Sequence, residues 1–331
     1  MAEYKAIKGL KITTVASDPS PATVGQMWYD TATNNFKYTG KATAWAAGGD
    51  LVDGRQGGAG AGSITAALYF GGNDGTRTNP SDAFDARTEE YNGTGWTEVA
   101  DLNLGRENFS GTGTTSAALA CGGFKGDPTA TGYLSEVEEW NGASWTAVNH
   151  LTVDVALPMS AGTTSAAVAA GGQNQQSPYY KSTSQEWNGT SWTAGNSLVA
   201  ATSYTTGGGT MIAALMCGGA LPGATANVQA YDGTTWTEVN NLNTARQQNS
   251  TQDVAPTSSF LTFGGNPGPT AVTEEYNGTS WTEIADLATA RGDSSGAGTT
   301  SDAALCIGGT PFTTATEVFS LAETTKTVTA S

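Results

Sequence analysis

Three periodic observations predict an all-β fold, a six-bladed β-propeller of four-stranded antiparallel blades. A Gly-Gly doublet closes a short apolar run six times, at Gly71/Gly72, Gly122/Gly123, Gly171/Gly172, Gly218/Gly219, Gly264/Gly265 and Gly308/Gly309. A Trp is followed six positions later by a Leu, also six times, from Trp45 and Leu51 through Trp96, Trp145, Trp192 and Trp236 to Trp281 and Leu287. Between the doublets one phrase keeps returning, as EEYNGTGWTEVADL from Glu89, EEWNGASWTAVNHL from Glu138 and EEYNGTSWTEIADL from Glu274. A period of roughly 45 to 50 residues, with short strands and no helical pattern inside it, is what propeller blades look like in sequence.

Within one unit the strands read in order, from the inner strand a to the outer strand d. Small-residue segments such as GDSSGAGTT suit strand a, where a ring is narrowest. The run AALCIGG at 303–309 is apolar throughout, as expected of a strand b covered on both faces, and its glycines end it where backbones approach closely. TEEYNG and SWTEIADL supply strands c and d, with Asn277-Gly278 expected to form a two-residue hairpin turn of positive φ. The recurring Trp is large enough to fill the wedge that widens between blades away from the axis, a burial of about 2–3 kcal/mol each. Trp45, Trp96, Trp145, Trp192, Trp236 and Trp281 are therefore structural repeat positions.

Ring closure is written at the two ends. AWAAGGDLVDGR at 44–55 reads as a d strand placed before the first complete a and b pair, while the last unit has a c-like TEVFS at 316–320 and no Trp. The N-terminal strand around 45–51 is expected to complete the C-terminal blade and leave no open edge. This divides the chain into an N-terminal arm or docking segment, 1–35, and a propeller, 36–331. FKY at 36–38 is a second c-like candidate, and TKTVTA near the C-terminus a rival outer strand.

Charge and composition narrow the function. The 331 residues carry 44 Gly, only 13% charged residues and a net charge of -16. Such an acidic chain is a poor match for nucleic-acid phosphates, which need a basic surface. Membrane insertion is not expected, because no run of 18 apolar residues occurs, and the first residues lack the apolar core of a secretory signal. Cys121, Cys217 and Cys306 sit near the ends of apolar strands in different units and read as buried thiols.

Catalytic readings lack their parts. A copper radical site or a serine triad needs imidazoles, and the chain has one, His150. Paired acids such as Glu89/Glu90 and Glu138/Glu139 recur with the repeat and, as strand neighbours, point to opposite faces. Arg55, Arg106, Arg246 and Arg291 recur four residues after the Leu, with Val155 and Thr202 in the other two units. Their recurrence marks them as structural, tying loop carbonyls or a neighbouring blade's carboxylate. Loop acids such as Asp74, Asp82 and Asp127 do not form a regular calcium loop. The expectation is no enzyme, no catalytic residue, no cofactor and no metal.

What varies is the connection from b to c, 73–88, 124–137, 173–184, 220–228, 266–273 and 310–316, which shortens along the chain. These loops share a face with the d to a connections, and irregular loops on a rigid scaffold commonly carry recognition. The first three hold Arg77, Phe84, Lys125, Tyr179 and Tyr180, the candidate binding residues.

An apolar strand ended by Gly-Gly, then an aromatic, then a Trp, resembles the Kelch and galactose-oxidase type of β-propeller over residues 36–331. Tyr91 and Trp96 stand closer together than in the usual Kelch repeat, which implies a tighter hairpin. The uniform YNGTSW phrase also resembles segments of tailed-bacteriophage structural proteins, especially marine ones. So does a G-x-x-WYDT-x-TN-x-F-KY module at Gly25, Trp28, Tyr29, Asp30, Thr31, Asn34, Phe36, Lys37 and Tyr38. That resemblance implies a non-enzymatic virion protein, made in the host cytoplasm and mounted on the phage particle as a tail, fibre or capsid appendage. Its partners would be other virion proteins and a host-surface glycan or protein, met through the b–c loop face. A soluble Kelch-type protein- or carbohydrate-binding module is the alternative. A sialidase-like glycoside hydrolase is a third reading, and it requires a deep axial pocket where repeat-breaking acids converge.

Overall fold

The computed structural model describes residues 12–20, 26–76, 84–126, 132–253 and 255–328, and these contain strands, turns and bends with no helix. They fall into two compact units, residues 45–319 and residues 1–44 with 320–331.

The strands are β1 (Thr13–Val15), β2 (Met27–Asp30) and β3 (Asn35–Ala47), followed by six repeats. Sheet I holds β4 (Ala59–Ser63), β5 (Ala66–Phe70), β6 (Thr88–Tyr91) and β7 (Trp96–Val99). Sheet II holds β8 (Ser110–Thr114), β9 (Ala117–Cys121), β10 (Val137–Trp140) and β11 (Trp145–Val148). Sheet III holds β12 (Met159–Thr163), β13 (Ala166–Ala170), β14 (Ser184–Trp187) and β15 (Trp192–Ala194). Sheet IV holds β16 (Thr206–Thr210), β17 (Ala213–Cys217), β18 (Val228–Tyr231) and β19 (Trp236–Val239). Sheet V holds β20 (Ser250–Thr251), β21 (Phe260–Phe263), β22 (Thr273–Tyr276) and β23 (Trp281–Glu283). Sheet VI holds β24 (Ser295–Thr300), β25 (Ala303–Ile307) and β26 (Thr316–Thr327), with β3 beside β26. The fold is all-β and propeller-like, built from repeated four-stranded antiparallel sheets.

Inner strands meet in order: β4 lies against β8, β8 against β12, β12 against β16, β16 against β20, β20 against β24 and β24 against β4. They tolerate only small residues because the neighbouring backbone is so near. A Cβ on Gly296 would come within 2.0 Å of the Thr251 carbonyl oxygen, and one on Gly60 within 2.6 Å of that of Gly296. Farther out, larger side chains fill the gaps between sheets. Leu68 and Phe70 of sheet I share one core with Ala118, Ala120, Trp140 and Trp145 of sheet II, and Ala67, Tyr69 and Trp96 of sheet I share another with Leu305 and Ile307 of sheet VI.

Each recurring Trp faces the last aromatic of its own strand c, Tyr91 opposite Trp96 and Trp140 opposite Trp145, with ring centroids 5.0 and 5.5 Å apart. Trp45 takes the same role against Phe319, at 5.2 Å, and Gly48 N–H donates to the Thr316 carbonyl at 2.7 Å. In three units the indole N–H reaches a threonine of the preceding sheet, Trp145 to Thr88 Oγ1 at 2.9 Å, Trp96 to Thr316 Oγ1 at 3.0 Å and Trp45 to Thr273 Oγ1 at 3.0 Å.

Two expectations are corrected. The hairpins between c and d are four-residue loops, because Tyr276 pairs with Trp281. In that loop Gly278 has positive φ, +88°, and Asn277 is not among the positive-φ residues. Asn277 works through its side chain instead, Oδ1 accepting the Thr279 and Ser280 N–H groups at 2.9 Å. Residues 36–44 and 320–331, expected within the propeller, group with the N-terminal unit. There Phe36–Tyr38 is the arm of β3 that pairs with β2, and Val328 N–H donates to the Phe36 carbonyl. Trp28 is fully buried in this unit, and Lys37 bridges Asp30 and Asp18 at 2.8 and 2.9 Å. The Lys37 ammonium and the turn N–H groups pull the Asp30 carboxyl down to about 2. Gly25 of the same module lies outside the described residues.

Candidate functional site

Two regions on the side of the b–c and d–a connections carry chemistry that departs from the repeat. The first is a run of aromatic side chains across the b–c loops. Phe84 is buried and lies 6.1 Å from Phe124, which meets Tyr133 edge-on at 5.4 Å. Tyr133 hydrogen-bonds Tyr179, and burial together with that bond pushes the Tyr179 hydroxyl up to about 12. Tyr179 is 44% exposed and stands edge-on to Tyr180 at 5.2 Å, whose hydroxyl reaches the Pro222 carbonyl at 3.4 Å. Lys125 is half-buried next to Phe124, its N–H closing the loop onto the Gly132 carbonyl at 2.9 Å. The structure thus joins Phe84, Tyr179 and Tyr180 through Phe124 and Tyr133. Arg77, Asp82 and Asp127 lie outside the described residues.

The second region is a cavity of about 110 Å³ where the inner strands meet. Its rim is one repeat position, two residues after the Arg position: Gly57, Asn108, Leu157, Tyr204, Gln248 and Asp293. All six backbones are left-handed, with φ between 51° and 65°. They are stitched sheet to sheet. Asn108 N–H donates to Gly57 O, Leu157 to Asn108, Gln248 to Tyr204, Asp293 to Gln248 and Gly57 to Asp293, at 2.7–3.1 Å.

Deeper in, Asp253 stands seven residues after Arg246, where the other units have Gly62, Gly113, Gly162, Gly209 and Gly298. A side chain is excluded at those glycines. At Gly113, for example, φ is +126° and a Cβ would sit 2.3 Å from the Ala117 carbonyl oxygen. The Asp253 carboxylate reaches out of sheet V to sheet II, accepting the Gly113 N–H at 2.7 Å, with Thr112 and the Gly62 N–H facing it too. Its Oδ1 makes no hydrogen bond although the residue is only 4% exposed. Burial holds this carboxyl up at about 7, and holds Asp293, which accepts from Gln248 Nε2, at about 6.

The four arginines sit elsewhere. Arg106 Nη2 pairs with Glu138 at 2.6 Å while its Nη1 donates to the Gly122 and Glu136 carbonyls, and Arg55 treats Glu89, Gly71 and Arg87 in the same way. Arg246 pairs with Glu274, and Arg291 with Glu317 at 2.5 Å. All four arginines are at most 2% exposed. The same glutamates cap the preceding turn, Glu138 Oε2 accepting the Asn103 N–H at 2.7 Å. Where Val155 and Thr202 replace Arg, Gln185 and Gln229 replace Glu and cap the Thr152 and Val199 N–H groups.

The three cysteines are fully buried free thiols, with Cys121 and Cys306 pushed up to about 12 and about 11 by burial. Among the described residues no group of three or more His, Cys, Asp or Glu forms a metal-holding cluster.

Reading the repeats separately from the Arg position misses Tyr204, Asp253 and Asp293. Offsets of two and seven from that position expose them, because they are where otherwise regular units diverge.

The sheets and their order define a propeller-like all-β protein. Among solved structures the chain is similar to one titled "Structure of YjhT", at TM-score 0.66 and 14% identity, covering 83% of this chain and 99% of that one. At that identity the likeness is one of fold. No protein-family model matches the chain, and no curated protein matches it.

Proposed function

We propose that the chain is a six-bladed propeller closed by its N-terminal strand, and that it is a non-enzymatic phage virion protein adhering to a host surface through its b–c loop face. Closure is supported by the Gly57 to Asp293 hydrogen bond, the contact of β4 with β24 and the pairing of Trp45 with Phe319. The observation that carries the adhesion reading is the continuous aromatic run from Phe84 to Tyr180. Aromatic faces with hydroxyl tips suit a sugar or protein surface that is part apolar and part wet. The Trp28-Asp30-Lys37 module supports the phage assignment by its resemblance to phage appendage segments, and gives the particle a second, separate unit to hold. A soluble Kelch-type binding module would use the same loop face away from any particle.

The test is peptide mass spectrometry on purified phage-like particles from the source lysate. Detection at a defined ratio to the major capsid protein supports a virion component. Its absence moves the reading to the soluble module.

One observation favours a second reading. Asp253 and Asp293 are two repeat-breaking carboxylic acids at one cavity, both held up by burial, the state a general acid of a glycoside hydrolase requires. A sialidase-type site would also need free arginines, and Arg55, Arg106, Arg246 and Arg291 are each engaged with a glutamate. Turnover of nitrophenyl glycosides that disappears in both Asp253→Asn and Asp293→Asn would establish the hydrolase.

A further inference from the structure

We infer that the central cavity binds one uncharged sugar ring, the terminal unit of a neutral glycan, with Tyr204 against the ring's apolar face and the Gln248–Asp293 pair taking its hydroxyls. This rests on the adhesion reading and names its ligand class.

The rim position carries the argument. Its backbone does one job in all six units, yet the side chains are all different, while the Gly-Gly, Trp and Leu positions around it stay constant. Left-handed φ is cheapest for Gly, and Gly57 shows that Gly serves there. Asn108, Leu157, Tyr204, Gln248 and Asp293 accept that strain at φ 51–59°, which points to work done by their side chains.

The side chains also divide the mouth into two halves. On one side are Leu157 and Tyr204, and Tyr204 lies near Tyr179 and Tyr180 and accepts from Gln173 Nε2 at 3.4 Å. On the other a polar chain runs from Asn266 Nδ2 to Gln248 Oε1 at 3.2 Å, then from Gln248 Nε2 to Asp293. A pyranose has this same division, an apolar face of C–H groups and an edge of hydroxyls.

Charge selects among sugars. The cavity lining contains Asp253 and Asp293 and no Lys, Arg or His. A sialic or uronic acid would bring its carboxylate beside two buried carboxyls in a site that has no cation to meet it. At the base, the free Oδ1 of Asp253 is an acceptor for a hydroxyl or for a water beneath the sugar.

The test uses the full chain and methyl glucoside, galactoside and mannoside, with N-acetylneuraminic and glucuronic acids for contrast, read by saturation-transfer NMR and titration calorimetry. At least one neutral glycoside is expected to bind and both acids to fail. Tyr204→Gly, which the left-handed backbone favours, and Asp293→Asn are each expected to weaken binding tenfold or more with the fold unchanged by circular dichroism. No neutral glycoside binding, tighter binding of an acid, or unchanged affinity in Tyr204→Gly overturns the inference.

Adsorption of labelled protein to host cells, measured in parallel, separates the two claims. Adsorption that depends on Tyr179 and Tyr180 without sugar binding keeps adhesion and removes the sugar site. Sugar binding without adsorption does the reverse.

Discussion

The junctions leading into sheets I, II, V and VI differ from those leading into III and IV by one coupled exchange. The first four bury an Arg–Glu pair, and the other two hold Val155 with Gln185 or Thr202 with Gln229, while the glutamate or glutamine caps the same turn in every case. A carboxylate in that position is tolerated where a guanidinium compensates its desolvation. Where the cation is missing, an amide supplies the same acceptor without a charge. Turn capping is thus the constant requirement, and the ion pair is one of two ways to meet it.

The hardest way to break this contrast is Arg106→Ala, which strands Glu138, only 2% exposed, without its cation. A loss of about 3–5 kcal/mol is expected in urea unfolding. A loss under 1 kcal/mol would show that the pair does not hold the junction.

A second contrast lies at the inner strands, where Asp253 replaces the glycine of five other units. Its folded value is about 7 and that of Asp293 about 6, against an ordinary 3.8. The folded state therefore keeps protons that the unfolded chain releases. This contribution to stability is complete below about pH 4 and is lost as pH rises through 6 to 7. Urea midpoints are expected to fall over that window, and Asp253→Asn to flatten the fall. A profile identical to that of the parent chain would contradict the buried, proton-holding placement of Asp253.

Converting a charged junction into the neutral kind sharpens the first contrast. Arg106→Val/Glu138→Gln is expected within about 1–2 kcal/mol of the parent, far better than Arg106→Ala, because neither charge is left stranded. Strong non-additivity in the double-mutant cycle is the signature to measure.

The smallest effect concerns the tryptophans. Trp145 donates to Thr88, but Trp192 meets Val137 at the equivalent position and its buried N–H has no partner. Val137→Thr is expected to raise stability by about 1 kcal/mol, read as a higher melting temperature. No gain would mean that the hydroxyl does not reach the indole as Thr88 does.

Much of this was legible in the chain because a repeat multiplies weak signals. Gly71, Trp96 and Leu102 would say little singly, and their recurrence locates every sheet. The Arg–Glu coupling was legible too, since Val155 and Thr202 coincide with Gln185 and Gln229. It escapes a reading that treats the Arg and the acidic pair as separate motifs. The cavity was less accessible. Tyr204, Asp253 and Asp293 are far apart in sequence and become neighbours only when the six inner strands converge. The hairpin turn was misread because Asn277-Gly278 suits a two-residue turn locally, whereas the Tyr276–Trp281 pairing sets a four-residue loop.

By itself the sequence determined the all-β repeat, the aromatic and Trp pair in each sheet's outer strands, and the small-residue inner strands, because each depends on local periodicity and side-chain size. The tertiary structure decided which groups share a space: the Arg with the next sheet's Glu, Asp253 with the Gly113 amide across the centre, and Tyr204 on one rim with Asp293. Those encounters depend on how far each strand is carried around and on the low dielectric where it arrives. No local stretch of sequence encodes either.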